Sequence, residues 1–198
     1  MSLSYHSLPV QTTTTARSAG MPVSLAEAKD HLRISTDDLD TQVQATLEAA
    51  TEYCETVTGR ALRVSHTVTQ TYDDWPCNPV RLSRQPVTAI SSVTYYDQDG
   101  ASQTVASNNY RLIAGGDHAA VLEFDDDFTE PTLDDRLDAV TITYTAGYSS
   151  VDTVPAMAKH AIKLVMSELF GDLDDRQMTA CRESAKRLLA AIDWGSYR

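Results

Sequence analysis

The chain has 198 residues, of which 42% are hydrophobic and 22% charged, with 28 acidic against 16 basic side chains and a net charge of −12. That length suits one domain with a real core, or a small core carrying an insertion, and the charge excludes binding DNA by phosphate neutralisation or docking on an anionic membrane. The apolar runs are too short for a bilayer span, and the N-terminus lacks the basic segment and apolar stretch of a signal peptide.

Residues 1–20, with Thr12-Thr13-Thr14-Thr15, Ser18 and Gly20, show no hydrophobic period and are expected to form a flexible arm. Ser24-Leu25-Ala26-Glu27 has the spacing of a capping box and opens a short helix to about Arg33, with Leu25, Ala28 and Leu32 on one face. Thr36 is the expected N-cap of the next helix, whose first turn is loaded with Asp37, Asp38 and Asp40. Leu39, Val43, Leu47, Ala50, Cys54 and Val57 then make one apolar stripe that Gly59 ends.

From Arg63 the pattern changes to β-branched residues in near-alternation. Strands are predicted over Arg63–Tyr72, Val87–Tyr96, Ser102–Val105, Tyr110–Ile113, Ala119–Phe124 and Ala139–Thr145. Turns are expected at Asp97-Gln98-Asp99-Gly100 and Gly115-Gly116-Asp117. Short strands at regular intervals suggest a small antiparallel sheet or barrel. Helices return at Val154-Pro155, with Ala158, Ala161, Ile162, Val165 and Leu169 on an apolar face that ends at Gly171. A last helix is predicted over Ala180–Ile192, with Ala185, Leu188, Leu189 and Ile192 on one side. The fold class is therefore α+β: a helical core of about four helices with an inserted small antiparallel β-domain. The organisation expected is an arm over 1–20, helices over 21–62, a β-rich insertion over 63–150, and helices with a tail over 151–198.

The search for chemistry finds little. Gly147-Tyr148-Ser149-Ser150-Val151 lacks the second glycine of a nucleophile elbow, and no phosphate-binding glycine loop is present. His6, His31, His66, His118 and His160 are scattered, and Cys54, Cys77 and Cys181 are too widely spaced for a disulfide framework or a metal site. All three cysteines are expected to be reduced. Asp125-Asp126-Asp127 reads as a solvated loop. Asp172, Asp174 and Asp175 lack the oxygen ligand and glycine of a calcium loop, with Arg176 and Gln177 in those places, and are expected to cap the last helix. No catalytic residue, metal or cofactor is expected.

Six stretches in order carry a resemblance. They are PVSLAEAKDHLRI (Pro22–Ile34), AATEYCETVTGRAL (Ala49–Leu62), RLSRQPVTAISSVTYYDQDG (Arg81–Gly100), YRL (Tyr110–Leu112), VTITYTAGY (Val140–Tyr148) and VPAMAKHAIKLVM (Val154–Met166). Together, over roughly Pro22 to Leu189, they resemble the head–tail connector (adaptor) family of long-tailed bacteriophages and gene transfer agents. The resemblance implies a non-enzymatic virion protein of the neck, made in the host bacterial cytoplasm. It also implies a dodecameric ring beneath the portal protein, offering a platform to a stopper or tail protein and extending a channel through which DNA passes without specific binding. The acidic stretch Asp125–Asp138 falls outside the shared pattern, and so do residues 1–20.

A chain without a catalytic constellation acts through its surfaces. Tyr53, Tyr95, Tyr96, Tyr148, Trp194 and Tyr197 are the aromatic candidates for subunit, portal or tail contacts, and core packing is the competing role for each. The acidic surplus is read as an aid to solubility, or as the lining of a passage through which DNA slides. Two other classes remain open on the sequence. One is a small metal-dependent hydrolase built from Asp125–Asp127 and a distant histidine such as His118. The other is a monomeric protein-binding module.

Overall fold

The computed structural model describes residues 8–16, 20–113, 119–171 and 174–193. The chain divides into two compact units: residues 18–64 with 148–198, and residues 1–17 with 65–147.

The first unit is helical, with α1 (Leu25–Leu32), α2 (Asp40–Thr58), α3 (Ala156–Phe170) and α4 (Asp175–Ile192). The predicted capping box forms at α1: the Ser24 hydroxyl accepts from the Glu27 amide, and the Glu27 carboxylate accepts from the Ser24 amide. Thr36 does not cap α2. The helix begins at Asp40, after Leu39, which makes no side-chain cap hydrogen bond. Asp37, ahead of the helix, and Asp40, its first residue, also bind a cation, since Lys29 Nζ lies 2.6 Å from both. That ammonium ties α1 to the start of α2. Gly59 (φ 65°) and Gly171 (φ 90°) end α2 and α3 in the left-handed region, where a Cβ would add strain.

The helix α4 starts five residues before the predicted Ala180. Its cap is Asp174, whose carboxylate accepts from the Gln177 amide at 2.7 Å while Gln177 Oε1 accepts from the Asp174 amide. The first turn is polar all round, so hydrophobic periodicity misses it, although the D-x-x-Q spacing marks it. The four helices meet over Ala28, Val43, Leu47, Ala50, Cys54, Ala158, Ala161, Ile162, Met166, Ala185, Leu189 and Ile192, all buried. The apolar stripes run off this core at their ends, leaving Leu39, Val57 and Leu169 exposed.

Among the described residues the second unit holds eight strands: β1 (Gln11–Ala16), β2 (His66–Tyr72), β3 (Val80–Arg81), β4 (Val87–Tyr96), β5 (Ser102–Thr104), β6 (Tyr110–Ile113), β7 (Val121–Phe124) and β8 (Val140–Ala146). They form two antiparallel sheets, ordered β1-β2-β8-β4-β5 and β3-β7-β6. Burial alternates strictly along β2 and β8, so Val68, Tyr72, Val140, Ile142 and Tyr144 share the inner face. The strand β4 is longer than its partner and absorbs the excess in two register shifts, between Val87 and Ala89 and between Ile90 and Ser92.

The RLSRQP segment lies against this core on buried polar side chains. Gln70 Oε1 accepts from the Ser83 amide and the Tyr144 hydroxyl from the Arg84 amide. Gln85 Nε2 donates to the Leu82 and Ala120 carbonyls, while Gln85 Oε1 accepts from the Ala120 amide. Each buried amide thus finds a partner that keeps its burial from being costly.

Within the arm expected over residues 1–20, residues 11–16 form β1, which pairs with β2 from Gln11↔Thr71 to Thr14↔Val68, while residues 1–7 and 17–19 lie outside the described residues. Four consecutive threonines are good strand formers. They escaped the periodicity test because an edge strand exposed on both faces needs no apolar alternation. The turn expected at Gly115-Gly116-Asp117 lies outside the described residues.

Candidate interaction surfaces

The named aromatics fall in separate places. Tyr53 stands on the outer side of α2 and is 45% exposed. Tyr148 is half-buried, and its hydroxyl accepts from Arg60 Nη1 at 2.9 Å. Burial pushes the Tyr148 hydroxyl above its ordinary pKa and draws the Arg60 guanidinium below its own. This contact joins two of the stretches quoted above, TGRAL and TAGY. Behind it, buried Glu55 Oε1 accepts from the Leu62 and Arg63 amides at 2.9 and 3.2 Å, and Glu55 Oε2 lies 3.8 Å from Arg63 Nε. The TGRAL turn is therefore held from inside by a carboxylate of the helix that precedes it. Trp194 and Tyr197 lie outside the described residues.

Tyr95 and Tyr96 belong to a different construction, in the strand unit. The Trp75 ring packs 5.4 Å from Tyr95, 5.9 Å from Phe124 and 5.4 Å from Phe128, centroid to centroid. Phe124 and Phe128 stack at 5.0 Å. This cluster carries the acidic segment that follows β7. Trp75 Nε1 donates to the Pro131 carbonyl, the Asp134 amide donates to the Tyr96 carbonyl, and Asp97 bridges Leu133. Arg136 sits 3.7 Å over the Tyr96 ring and forks onto Asp138 at 2.6 and 2.8 Å. The Arg136 guanidinium holds the Asp138 carboxyl below its ordinary pKa.

Residues 125–138 thus form an anchored loop with seven acidic side chains and one arginine. Residues 65–147 as a whole hold 13 of the 28 acidic residues but only 4 of the 16 basic ones, so they account for −9 of the net charge of −12. The sequence reading missed Trp75, Phe124 and Phe128 as the loop's anchors. Phe124 was readable as an inward position of VLEF, but nothing in the local pattern pairs it with Trp75, 49 residues away.

The chemical alternatives gain no geometry. Among the described residues no group of three or more His, Cys, Asp or Glu side chains is placed to hold a metal ion. Asp125, Asp126 and Asp127 are exposed, and His118 lies outside the described residues. His31 Nε2 is 2.9 Å from Ser167 Oγ, but that hydroxyl donates to the Lys163 carbonyl at 3.2 Å. Burial pushes the Cys54 thiol up to about 12, which keeps it protonated. No described helix is long and apolar enough to cross a membrane.

Three comparisons bear on these surfaces. The family model "Phage gp6-like head-tail connector protein" matches residues 22–114, just under half of the chain. The resemblance read from the sequence is shown at that level. No curated protein sequence matches. Among solved structures, a chain in "Neck of empty GTA particle computed with C6 symmetry" matches with a TM-score of 0.77 and 21% identity, over 96% of this chain and 97% of that one. A chain in "Virion of native gene transfer agent (GTA) particle" matches with a TM-score of 0.73 and 21% identity, over the same shares. A chain in "Neck of native GTA particle computed with C12 symmetry" matches with a TM-score of 0.67 and 20% identity, over 90% and 94% of the two chains. At these identities the likeness is one of fold, and it extends over both units.

Proposed function

We propose that this chain is a structural head–tail connector (adaptor) subunit, one member of a ring in the neck of a phage or phage-like particle. The carrying observation is the shared fold, over nearly the whole length of both chains, with subunits of gene transfer agent necks. The match of residues 22–114 to the connector family supports the same reading from sequence. In this role the protein works by contact and position, without catalysis. Its ring, a dodecamer by analogy with the twelvefold neck, sits between the portal and the stopper or tail proteins and extends the DNA channel. Its place of work is the virion neck, after synthesis in the host bacterial cytoplasm.

A ring is built from heterologous contacts, in which two different faces of each subunit meet its two neighbours. Tyr53 is the named aromatic best exposed for such a contact, and Trp194 and Tyr197, beyond the end of α4, are assigned to portal docking. Acidic side chains turned to the channel would let DNA pass without adhering. Electron imaging of the protein mixed with its particle's portal tests the proposal. The expected result is a ring of added density coaxial with the portal. Two folded proteins that do not associate across several salt and pH conditions would overturn it.

A further inference from the structure

The helix α4 departs furthest among the four helices from the chain's negative charge. Between Asp175 and Ile192 it carries Arg176, Arg182, Lys186 and Arg187 against Asp175 and Glu183. At 100° per residue, Arg176 and Arg187 stand opposite the buried stripe of Ala185, Leu189 and Ile192. They are about 16 Å apart along the axis at 1.5 Å per residue. Both are exposed and neither makes an ion pair among the described residues, whereas Arg182 pairs with Glu168 and Lys186 with Glu183. Exposed Ala180 lies beside them on the same face. Glu183 also stands on this face, paired to Lys186, so the outer face of α4 is net cationic with a small apolar interval, and no other described helix of the unit covers it.

The complementary surface exists on the same chain. The loop 125–138 presents Asp127, Glu130 and Asp135, all exposed and without an ion pair among the described residues. It also presents Leu137, whose 71% exposure exceeds that of any other large hydrophobic residue described. Its backbone is held by Trp75, Phe128 and the Arg136–Tyr96 stack, so these charges are offered in a fixed arrangement. Little ordering entropy is then lost on docking.

We infer that the outer face of α4 docks the acidic loop 125–138 of a second copy of this chain, and that this pairing is a subunit contact of the ring. The inference rests on the connector reading above. Charge complementarity selects the occupant: in a chain of net charge −12, a cationic helix face and a fixed anionic loop offer each other counterions. The pairing is heterologous, as a closed ring requires.

A charge-swap mixing experiment tests it. One variant carries Arg176→Glu and Arg187→Glu, and the other carries Asp127→Lys and Asp135→Lys. All four positions are exposed and make no ion pair among the described residues, so both variants are expected to melt like the parent chain. Ring formation on the portal, counted by electron imaging, should fall by roughly tenfold or more for each variant alone, because like charges then face each other. A mixture of the two should recover rings, because an alternating ring of even number has opposite charges at every contact. A salt bridge within one chain would not be restored by mixing. If either variant forms rings like the parent, or if neither does and the mixture fails too, the inference is overturned while the connector reading stands. If the parent chain itself forms no ring on the portal, the connector reading falls and the inference with it.

Discussion

The carboxylate of Glu55 is the place where a single substitution should tell most about how the TGRAL turn is built. In Glu55→Ala the Leu62 and Arg63 amides lose their acceptor inside the protein, and the buried Arg63 guanidinium loses its counterion. Each unsatisfied buried amide costs about 1–3 kcal/mol, and breaking a buried ion pair by removing one partner costs about 3–5 kcal/mol. These costs share one cavity that water can partly fill, so a total of about 4 kcal/mol is expected rather than their sum. For a chain of this size that corresponds to a fall in melting temperature of roughly 8–16 °C. Glu55→Gln keeps an oxygen acceptor and loses the charge, and should fall between the parent and the alanine variant. Urea denaturation followed by circular dichroism measures all three. An alanine variant within about 1 kcal/mol of the parent would refute the claim that this carboxylate holds the turn.

Other perturbations address other parts of the molecule. Cys54, buried and with its thiol pushed up to about 12, should stay unmodified by a thiol reagent in the native protein, while exposed Cys77 reacts first; peptide mapping after a short exposure identifies the modified residue. Burial, then the charges of Lys163 and His160, lower the pKa of His31 against the opposing effects of a backbone hydrogen bond at Lys163 and the charge of Asp30. Its contribution is therefore fully present above the unfolded value of about 6.5 and is lost as pH falls through the lowered folded value. The urea midpoint should drop between pH 7.5 and pH 5, and His31→Asn should flatten that slope. Trp75→Ala removes three ring contacts and the Pro131 hydrogen bond, and should cost about 3–5 kcal/mol. Limited proteolysis should then cut within residues 125–138, which the parent resists. Deleting residues 1–16 takes β1 off the sheet and leaves β2 as an unpaired edge, so thermal stability and solubility should both fall, as seen in a melt with light scattering.

Much of the local structure was written in the chain. The capping box at Ser24, the glycine stops at Gly59 and Gly171, the stripe from Val43 to Cys54, and the strands Val87–Tyr96 and Tyr110–Ile113 follow from patterns spanning a few residues. Backbone sterics, capping and the periods of helix and strand act at that range, and so they are legible without a fold. The ordered motifs also carried the resemblance to connectors, which the family model meets over residues 22–114.

What escaped the sequence depends on partners far along the chain. A run of threonines becomes strand β1 only because β2, more than fifty residues later, offers it an edge. Asp37, expected in the first turn of α2, lies before the helix, and it shares Lys29 with Asp40, which does stand in that turn. The aromatics Tyr95, Tyr96 and Tyr148, nominated for contacts outward, each hold something inside their own unit: the Trp75 cluster, the Arg136 stack and the Arg60 strut. Composition set the sign and size of the net charge. Only the tertiary structure decided where that charge stands, because the loop 125–138 is held on an aromatic platform drawn from distant parts of the chain and the outer face of α4 is set by what its opposite face buries.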